Sequence, residues 1–138
     1  MLFADLKGFS RLVTSLSAHD SLAILNELIA AFDHVAERFG LEKVKTIGDS
    51  YLAVCGLSVP YLDHDKRVID CGIEKLGILR RFKLERDFQL SIQISIHSGD
   101  IVGGIVVKSK VVYDVWGETV KHCHGLSQIR SRWATGSN

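Results

Sequence analysis

The clearest pattern along the chain is a stripe of apolar residues, three and four positions apart, between residues 22 and 39. Its members are Leu22, Leu25, Ile29, Phe32, Ala36 and Phe39. This spacing puts them on one face of a helix, which we expect to face the core rather than a cofactor. Ser17 and Asp20 have the spacing of a capping box before the stripe, and Gly40 is placed to end the helix.

A second helix is predicted from about Asp65 to Arg81. Its apolar residues repeat every three or four positions, as in the first helix. We expect Ile69, Ile73 and Leu76 to form the face that points inward. A short helical turn is also expected from Ser10, and a further helix near residue 118.

Other segments have the patterns of strands. Phe88–His97 alternates apolar and polar residues without a break, as a half-buried strand of an antiparallel or mixed sheet does. Gly48-Asp49 lies between two β-rich runs and predicts a tight hairpin. Further strands are expected at residues 1–5, at 101–107 as a buried strand, and at 111–116. The order of elements predicts an α+β fold with helices over one sheet.

Composition limits the class of protein. The chain has 138 residues, 46% hydrophobic and 24% charged, which suits one globular domain over residues 1–138. Its formal charge of +1 gives no basic field that would favour nucleic acid. No apolar run reaches the roughly 18–20 residues of a spanning helix, and no signal peptide is expected. Three scattered cysteines without metal-ligand spacing suit reduced thiols, so we expect a cytoplasmic protein without membrane contact.

Two acidic residues next to glycines are candidate metal ligands. Asp49 lies at the tip of the expected hairpin, and Asp5 ends the first strand just before Gly8. Turn aspartates are common, and each alone is usually without function. Together they suit Mg²⁺, which takes one or two protein carboxylates plus substrate phosphates. The backbone amides of Lys7–Ser10 could bind the phosphate oxygens.

Lys45 and Asp114 form a second candidate pair. Strand alternation puts Lys45 on the same side as Lys43 and Ile47, where it could also be an ordinary surface lysine. Asp114 lies within an apolar strand, where an acid needs a partner or caps the next turn. A donor and an acceptor on neighbouring strands could instead bind the edge of a purine base. The six histidines show no spacing typical of a zinc site.

Four segments in this order resemble the catalytic domains of class III adenylyl and guanylyl cyclases. They are Phe-Ala-Asp-Leu-Lys-Gly-Phe-Ser from residue 3, Leu-Glu-Lys-Val-Lys-Thr-Ile-Gly-Asp-Ser-Tyr from residue 41, Ile-His-Ser-Gly from residue 96, and Tyr-Asp-Val-Trp-Gly-Glu-Thr-Val from residue 113. The resemblance implies a ferredoxin-like βαββαβ core with helices on one mostly antiparallel sheet. It also implies a head-to-tail homodimer or heterodimer with another cyclase domain, with active sites at the interface.

The resemblance assigns roles to residues of this chain. It implies that Asp5 and Asp49 hold two Mg²⁺ or Mn²⁺ ions, with the Leu6 carbonyl as a further ligand. One ion then promotes attack of the ribose 3′-hydroxyl on the α-phosphate, and the other neutralises the departing pyrophosphate. The amides of Gly8, Phe9 and Ser10 are implied to meet the phosphates. Lys45 and Asp114 match the pair that selects adenine, which indicates ATP as the nucleotide.

The sequence departs from the family pattern after residue 120. Where the family has an Asn that orients the ribose and an Arg that stabilises the α-phosphate, this chain has Lys121 and Gly125. Losing such a contact typically costs about 10²–10³-fold in rate. Lys121 is a candidate catalytic residue because it could offer a positive charge in place of the Arg, but from the wrong turn of the helix and without the planar fork of Arg. Arg132 lies seven residues beyond Gly125, roughly 10 Å further along a helix, too far for a simple replacement.

Two functions therefore remain open from the sequence. The first is an adenylyl cyclase domain that converts ATP to cyclic AMP and pyrophosphate, weakly when alone. The second is a catalytically inactive, nucleotide-binding or heterodimerising module. The family's C-terminal hairpin is not found in residues 1–138, so a fragment that folds poorly because of an exposed sheet edge is a third, lesser alternative.

Overall fold

The computed structural model describes residues 1–86, 89–107, 111–121 and 123. The elements are β1 (Leu2–Lys7), α1 (Phe9–Ser15), α2 (Ala18–Arg38), β2 (Glu42–Ile47), β3 (Ser50–Val54), α3 (His64–Arg86), β4 (Ser91–Ile96), β5 (Val102–Val107) and β6 (Val111–Trp116). A helical turn occupies residues 118–121. None of the helices in these ranges is long and apolar enough to cross a membrane.

The first four strands form one antiparallel sheet in the order β2-β3-β1-β4. Two of its strands are central because β1 pairs with both β3 and β4. Strands β5 and β6 form a separate antiparallel hairpin. The sheet order and the two crossing helices give the ferredoxin-like α+β core that the sequence predicts.

The helices cover one face of this sheet. Strand alternation turns Leu2, Ala4 and Leu6 of β1 toward the helices, where all three are buried. From the helices, the buried side chains on this face are Leu12, Leu28, Phe32, Val35, Ala36, Val68, Cys71, Leu79 and Phe82. This is the larger of the two apolar clusters and it holds the helices on the sheet.

The opposite face carries a smaller apolar cluster. Its buried members are Met1, Phe3, Leu52, Val54, Val115 and Cys123. Here β6 and the helical turn after it pack on the sheet instead of a long helix. The alternate residues of β1 and β3, including Asp5 and Ser50, lie on this second face.

Helix α2 begins and ends as the sequence predicts. The Ser17 hydroxyl accepts a hydrogen bond from the Asp20 amide at 3.1 Å. Gly40 has φ +78°, and its amide donates to the Glu37 carbonyl at 3.1 Å, as in a Schellman motif. The predicted apolar face is wrong at its first residue, because Leu22 is exposed and Ser21 takes the buried position.

The inward face predicted for α3 is wrong. Ile69, Ile73 and Leu76 are exposed. The helix has a second stripe of the same spacing, and that stripe faces the sheet; it consists of Val68, Cys71, Gly72, Lys75, Leu79 and Phe82. Periodicity alone could not choose between the stripes, because the buried one contains a lysine and a glycine.

Two strand predictions also change. Strand β4 begins at Ser91, later than the predicted start at Phe88, which lies outside the described residues. Strand β5 is not buried, since Val102 and Ile105 are 67% and 68% exposed. Among the described strands it pairs only with β6 and stands outside the four-stranded sheet, and because Val102 and Ile105 lie on opposite faces of the strand, each face has an exposed apolar residue.

Candidate active site

A β-bulge determines where the candidate lysine points. Lys43 pairs with Ala53 and Lys45 pairs with Leu52, so the register shifts by one residue between them. Lys43 therefore lies on the helix-covered face, where its Nζ is 3.2 Å from the Asp33 carboxylate of α2. Lys45 lies on the second face. The prediction that Lys43 and Lys45 share a side is wrong, because alternation does not reveal an extra residue.

On the second face, Lys45 meets Asp114 of β6. The Lys45 Nζ donates to Asp114 Oδ2 at 2.8 Å, and both side chains are about a quarter to a third exposed, at 32% and 23%. The Val115 amide donates to the other oxygen, Asp114 Oδ1, at 2.9 Å. Residues 69 positions apart in sequence are thus held as one donor and acceptor pair. The structure brings together the two residues that the sequence proposed as a base-reading pair.

This ion pair lines a cleft of about 290 Å³. Other residues of the cleft wall are Met1, Phe3, Ile47, Leu52, Val115, Trp116, Val120 and Lys121. The wall is mostly apolar with a few polar groups, which is the usual character of a site for a flat organic ligand. A second cavity of about 330 Å³ lies at the other end of the sheet, between Cys55, His64 and Gly99, and contains none of the candidate site residues.

Asp5 is held from two sides. Ser50, its pairing partner on β3, donates from Oγ to Asp5 Oδ1 at 2.9 Å. Lys7, two positions along β1 on the same face, donates from Nζ to Asp5 Oδ2 at 2.7 Å. The Asp5 side chain is 19% exposed, whereas that of Lys7 is 40% exposed. Both carboxylate oxygens therefore have protein partners.

Asp49 lies beside Asp5, as predicted. The Leu6 amide donates to the Asp49 carbonyl at 3.3 Å, which joins the end of β1 to the β2–β3 turn. Burial raises the pKa of the Asp49 carboxyl, its own backbone amide opposes this, and the negative charge of Asp5 raises it further. The Lys7 ammonium acts in the opposite direction. Two carboxylates and one ammonium thus share a small region at the end of the sheet.

This region has the donor set that a hard divalent cation needs. Mg²⁺ and Mn²⁺ prefer carboxylate and carbonyl oxygens, and commonly take only one or two carboxylates from the protein. Asp5 and Asp49 offer carboxylate oxygens close enough for the charge of one to act on the other, and Leu6 follows Asp5 directly with a backbone carbonyl. Across the described ranges there is no group of three or more His, Cys, Asp or Glu residues placed to hold a metal. The donors fit an ion that also draws ligands from a phosphate and water.

Next to the acids, Gly8 leads into α1. It has φ +86° and ψ 0°, and a Cβ there would lie 2.4 Å from the Gln89 carbonyl oxygen, so only glycine fits without strain. The amides of Phe9 and Ser10 fall in the first turn of α1, where amides have no partner within the helix.

Lys121 lies on the rim of the cleft. Its side chain is 76% exposed, and its Nζ is 3.4 Å from the Glu118 carboxylate. Its amide donates to the Gly117 carbonyl at 3.3 Å, so the residue belongs to the helical turn after β6. Gly125 and Arg132 lie outside the described residues.

Sequence reasoning missed two side chains that contact the site, those of Lys7 and Ser50. Lys7 lies two positions from Asp5 on a strand, and strand periodicity could have put both on one face. Ser50 follows Asp49 directly, and its contact with Asp5 depends on the β1–β3 register. No local pattern in the sequence specifies that register, so the Ser50 contact could not be read from it.

Comparison with known proteins identifies the class. Residues 1–128 match the family model of the adenylate and guanylate cyclase catalytic domain. The chain therefore belongs to this family. An adenylate cyclase of Mycobacterium tuberculosis is 33% identical over 120 residues, 87% of this chain and 27% of that protein. Adenylate cyclase type 9 of Gallus gallus is 30% identical over 129 residues, 94% of this chain and 10% of that protein. The chain thus spans about a quarter or less of these relatives.

Solved structures share the fold. The guanylate cyclase domain of RhGC from Catenaria anguillulae, in complex with GTP, superposes with a TM-score of 0.82 at 29% identity, over 89% of this chain and 68% of that one. The catalytic core of a rhodopsin-guanylyl cyclase with converted specificity, in complex with ATPαS, gives 0.83 at 31% identity, over 89% and 67%. One of these two structures thus contains GTP, and the other contains ATPαS.

Proposed function

We propose that this chain is an adenylyl cyclase domain that converts ATP to 3′,5′-cyclic AMP and pyrophosphate. The observation that carries the proposal is the Lys45–Asp114 ion pair in the apolar cleft, on the same sheet face as Asp5. Asp49 lies in the turn of the β2–β3 hairpin, four residues after Lys45. A base site and an acidic site are thus joined by one hairpin.

The cleft suits adenine. An adenine ring offers an amino group as donor beside ring nitrogens as acceptors. Asp114 accepts from the amino group and Lys45 donates to a ring nitrogen, while Phe3, Leu52 and Trp116 supply apolar surface for the ring. Guanine carries a carbonyl oxygen where adenine has the amino group, which puts two acceptors face to face at Asp114. The residue pair therefore favours ATP over GTP.

Asp5, Asp49 and the Leu6 carbonyl would hold two Mg²⁺ or Mn²⁺ ions. Such ions supply Lewis acidity for attack of the ribose 3′-hydroxyl on the α-phosphate and for departure of pyrophosphate. The protein's own contribution is position: the β1–β3 register and the Ser50 hydrogen bond keep the Asp5 carboxylate at the sheet end. The amides of Gly8–Ser10 bind phosphate oxygens beside it.

The active form is a dimer, with itself or with another cyclase domain. Ile47 and Trp116 line the cleft and are exposed, and so is Val102, which pairs with Trp116. Ile105, further along β5, is exposed as well. An exposed apolar patch of this kind, rimmed by charged residues, is typical of a protein interface. A partner at this face would cover the mouth of the cleft. A different cyclase domain there could supply the Asn and Arg that positions 121 and 125 lack, whereas a second copy of this chain could not.

A second candidate function is a cyclase-like module without turnover, which binds nucleotide or pairs with an active partner. Lys121 motivates it, because this side chain is exposed and directed to Glu118. Gly125 offers no side chain at all to stabilise a transition state. Such a module keeps the base and acidic sites but does not catalyse the reaction.

The deciding experiment incubates the purified domain with ATP and Mn²⁺ and measures cyclic AMP and pyrophosphate. Parallel reactions use Asp49→Ala and the control Asp100→Ala, which removes an acid from another glycine–aspartate turn at the far end of the sheet. We expect wild type and the Asp100→Ala control to form cyclic AMP at the same rate. In each reaction, cyclic AMP and pyrophosphate should appear in equal amounts. The Asp49→Ala variant should lose at least about 10²-fold in rate.

The double variant Lys121→Asn with Gly125→Arg separates the two candidates. Turnover by wild type supports the cyclase. The module is supported if wild type forms no cyclic AMP while the double variant does. It is also supported if cyclic AMP forms only on mixing with a partner domain. Equal cyclic AMP from wild type and Asp49→Ala would contradict the metal mechanism.

A further inference from the structure

The metal-binding end of the sheet contains a positive charge of its own. Lys7 donates to Asp5 Oδ2 at 2.7 Å, within the distance of a charge-assisted hydrogen bond. The other oxygen, Asp5 Oδ1, already accepts from Ser50 at 2.9 Å. A cation that binds Asp5 through Oδ2 must therefore replace the ammonium of Lys7.

We propose that Lys7 is a built-in competitor for the divalent cation, which occupies Asp5 when no metal is bound and weakens metal binding. The inference rests on the proposed function, because it takes Asp5 and Asp49 as the metal ligands. It adds a residue that controls how much free metal the site needs.

The surroundings of Lys7 support this role. Its side chain is 40% exposed, more than twice the 19% of Asp5, so the ammonium can swing into water when a cation takes its place. Partly exposed ion pairs contribute little to stability, so only a small free energy holds the ammonium on Asp5. Displacement is therefore possible at modest cost. Even after displacement, a lysine two residues from the ligand keeps its charge near the incoming ion.

The contact is also a consequence of strand geometry. Residues two apart on a strand project from the same face, and Asp5 and Lys7 are both in β1. Lys7 is the last residue of the strand, and its ammonium contacts the Asp5 carboxylate. The charge of Lys7 acts on the Asp49 carboxyl as well as on Asp5. Both proposed ligands are thus within its influence.

The test measures binding of Mn²⁺ alone to the whole chain, with the free ion counted by electron paramagnetic resonance. Lys7→Met removes the charge and keeps the length of the side chain. We expect this variant to bind Mn²⁺ about three- to tenfold more tightly than wild type. Lys7→Arg, which keeps the charge, should bind about as weakly as wild type.

The matched control is Lys66→Met. Lys66 makes an ion pair of nearly the same length, 2.8 Å to Asp70, on the surface of α3 and far from the site. The Lys66→Met variant changes the net charge by the same amount as Lys7→Met, so it should leave the Mn²⁺ affinity within about twofold of wild type.

The outcomes separate this inference from the proposed function. If Asp49→Ala abolishes Mn²⁺ binding but Lys7→Met binds no more tightly than wild type, the competitor role is overturned and the metal site stands. Weaker binding by Lys7→Met also overturns it, since Lys7 would then position Asp5 for the metal. If Mn²⁺ binding is absent or insensitive to Asp49→Ala in every variant, the metal site fails, and the competitor role with it.

Discussion

A lysine is fully buried at the centre of the helix-covered face. Lys75 of α3 has 0% exposure, and within the described part of the chain its Nζ has no hydrogen-bond partner. The Nζ lies 3.5 Å from the centre of the Tyr51 ring and 5.2 Å from that of Phe32. Burial lowers the pKa of Lys75 to about 8, while the charges of Cys71 and Asp33 oppose this.

Replacing Lys75 with Met should stabilise the fold. The difference between its ordinary pKa of 10.5 and about 8 corresponds to about 3 kcal/mol of lost stability at neutral pH. The cation–π contacts with Tyr51 and Phe32 return up to about 2 kcal/mol of this. We therefore expect Lys75→Met to raise the free energy of unfolding by about 1 to 3 kcal/mol at pH 7.

The pH dependence gives a second signature. The folded state holds the Lys75 proton more weakly than the unfolded chain does, so the unfolded chain binds more protons between pH 8 and 10.5. Wild-type stability should gain this contribution as pH rises through that window. The Met variant lacks it, so its advantage should be largest below pH 8 and should shrink toward zero near pH 10.5.

Urea unfolding followed by circular dichroism, at fixed protein concentration from pH 6.5 to 10.5, measures both effects. The control is Leu79→Met, a buried apolar exchange on the same helix, which should cost less than about 1.5 kcal/mol and add no pH dependence of its own. A Lys75→Met variant less stable than wild type at pH 7 would refute the reasoning. So would an advantage that stays constant across the pH range.

Three further predictions follow from the site and its neighbours. Lys45→Glu combined with Asp114→Cys should shift product from cyclic AMP toward cyclic GMP when both nucleotides are supplied, and an unchanged product ratio would contradict the base-reading role. Gly8→Ala should lower the free energy of unfolding by about 1 to 3 kcal/mol, measured in urea, because φ is +86° and the new Cβ meets a carbonyl oxygen at 2.4 Å. Ile105→Asp should raise the dimer dissociation constant at least tenfold in sedimentation equilibrium, whereas Ile73→Asp on the far side of the molecule should not; equal effects would place the interface elsewhere.

Much of the fold could be predicted because several local signals agree. The stripe on α2, the Ser17 cap and Gly40 each indicate the same helix, and the two ends and all of the stripe except Leu22 lie where expected. The inward face of α3 could not be predicted in this way. Its buried stripe includes Lys75, and no sequence rule ranks a buried lysine above Ile73. Which stripe becomes buried depends on how α3 packs against the sheet, and the sequence of the helix alone does not specify that packing.

The candidate site was partly predictable for a related reason. Asp5 and Asp49 could be named because Asp5 lies near the end of a strand, Asp49 follows one, and each is close to a glycine; local sequence carries that information. The partners of Asp5 could be named only in part. Lys7 shares a strand with it, whereas Ser50 reaches it through the pairing of β1 with β3. Contacts between strands depend on register, and register is set by the whole sheet.

One inserted residue decides the chemistry of the cleft. Without the bulge, Val44 would pair with Leu52 and Lys45 would pair with Tyr51, whose ring lies on the helix-covered face. Lys45 would then point toward α2, as Lys43 does, and Asp114 would lose the partner that lies 2.8 Å away. This register keeps Lys43 opposite Ala53 and would move Ile47 from its pairing with Ser50 into the turn, so the hairpin loop would grow by one residue. The base-reading pair therefore depends on backbone register as much as on the identities of Lys45 and Asp114, and a related sequence that has both residues but pairs Lys45 with the residue at the position of Tyr51 would not form it.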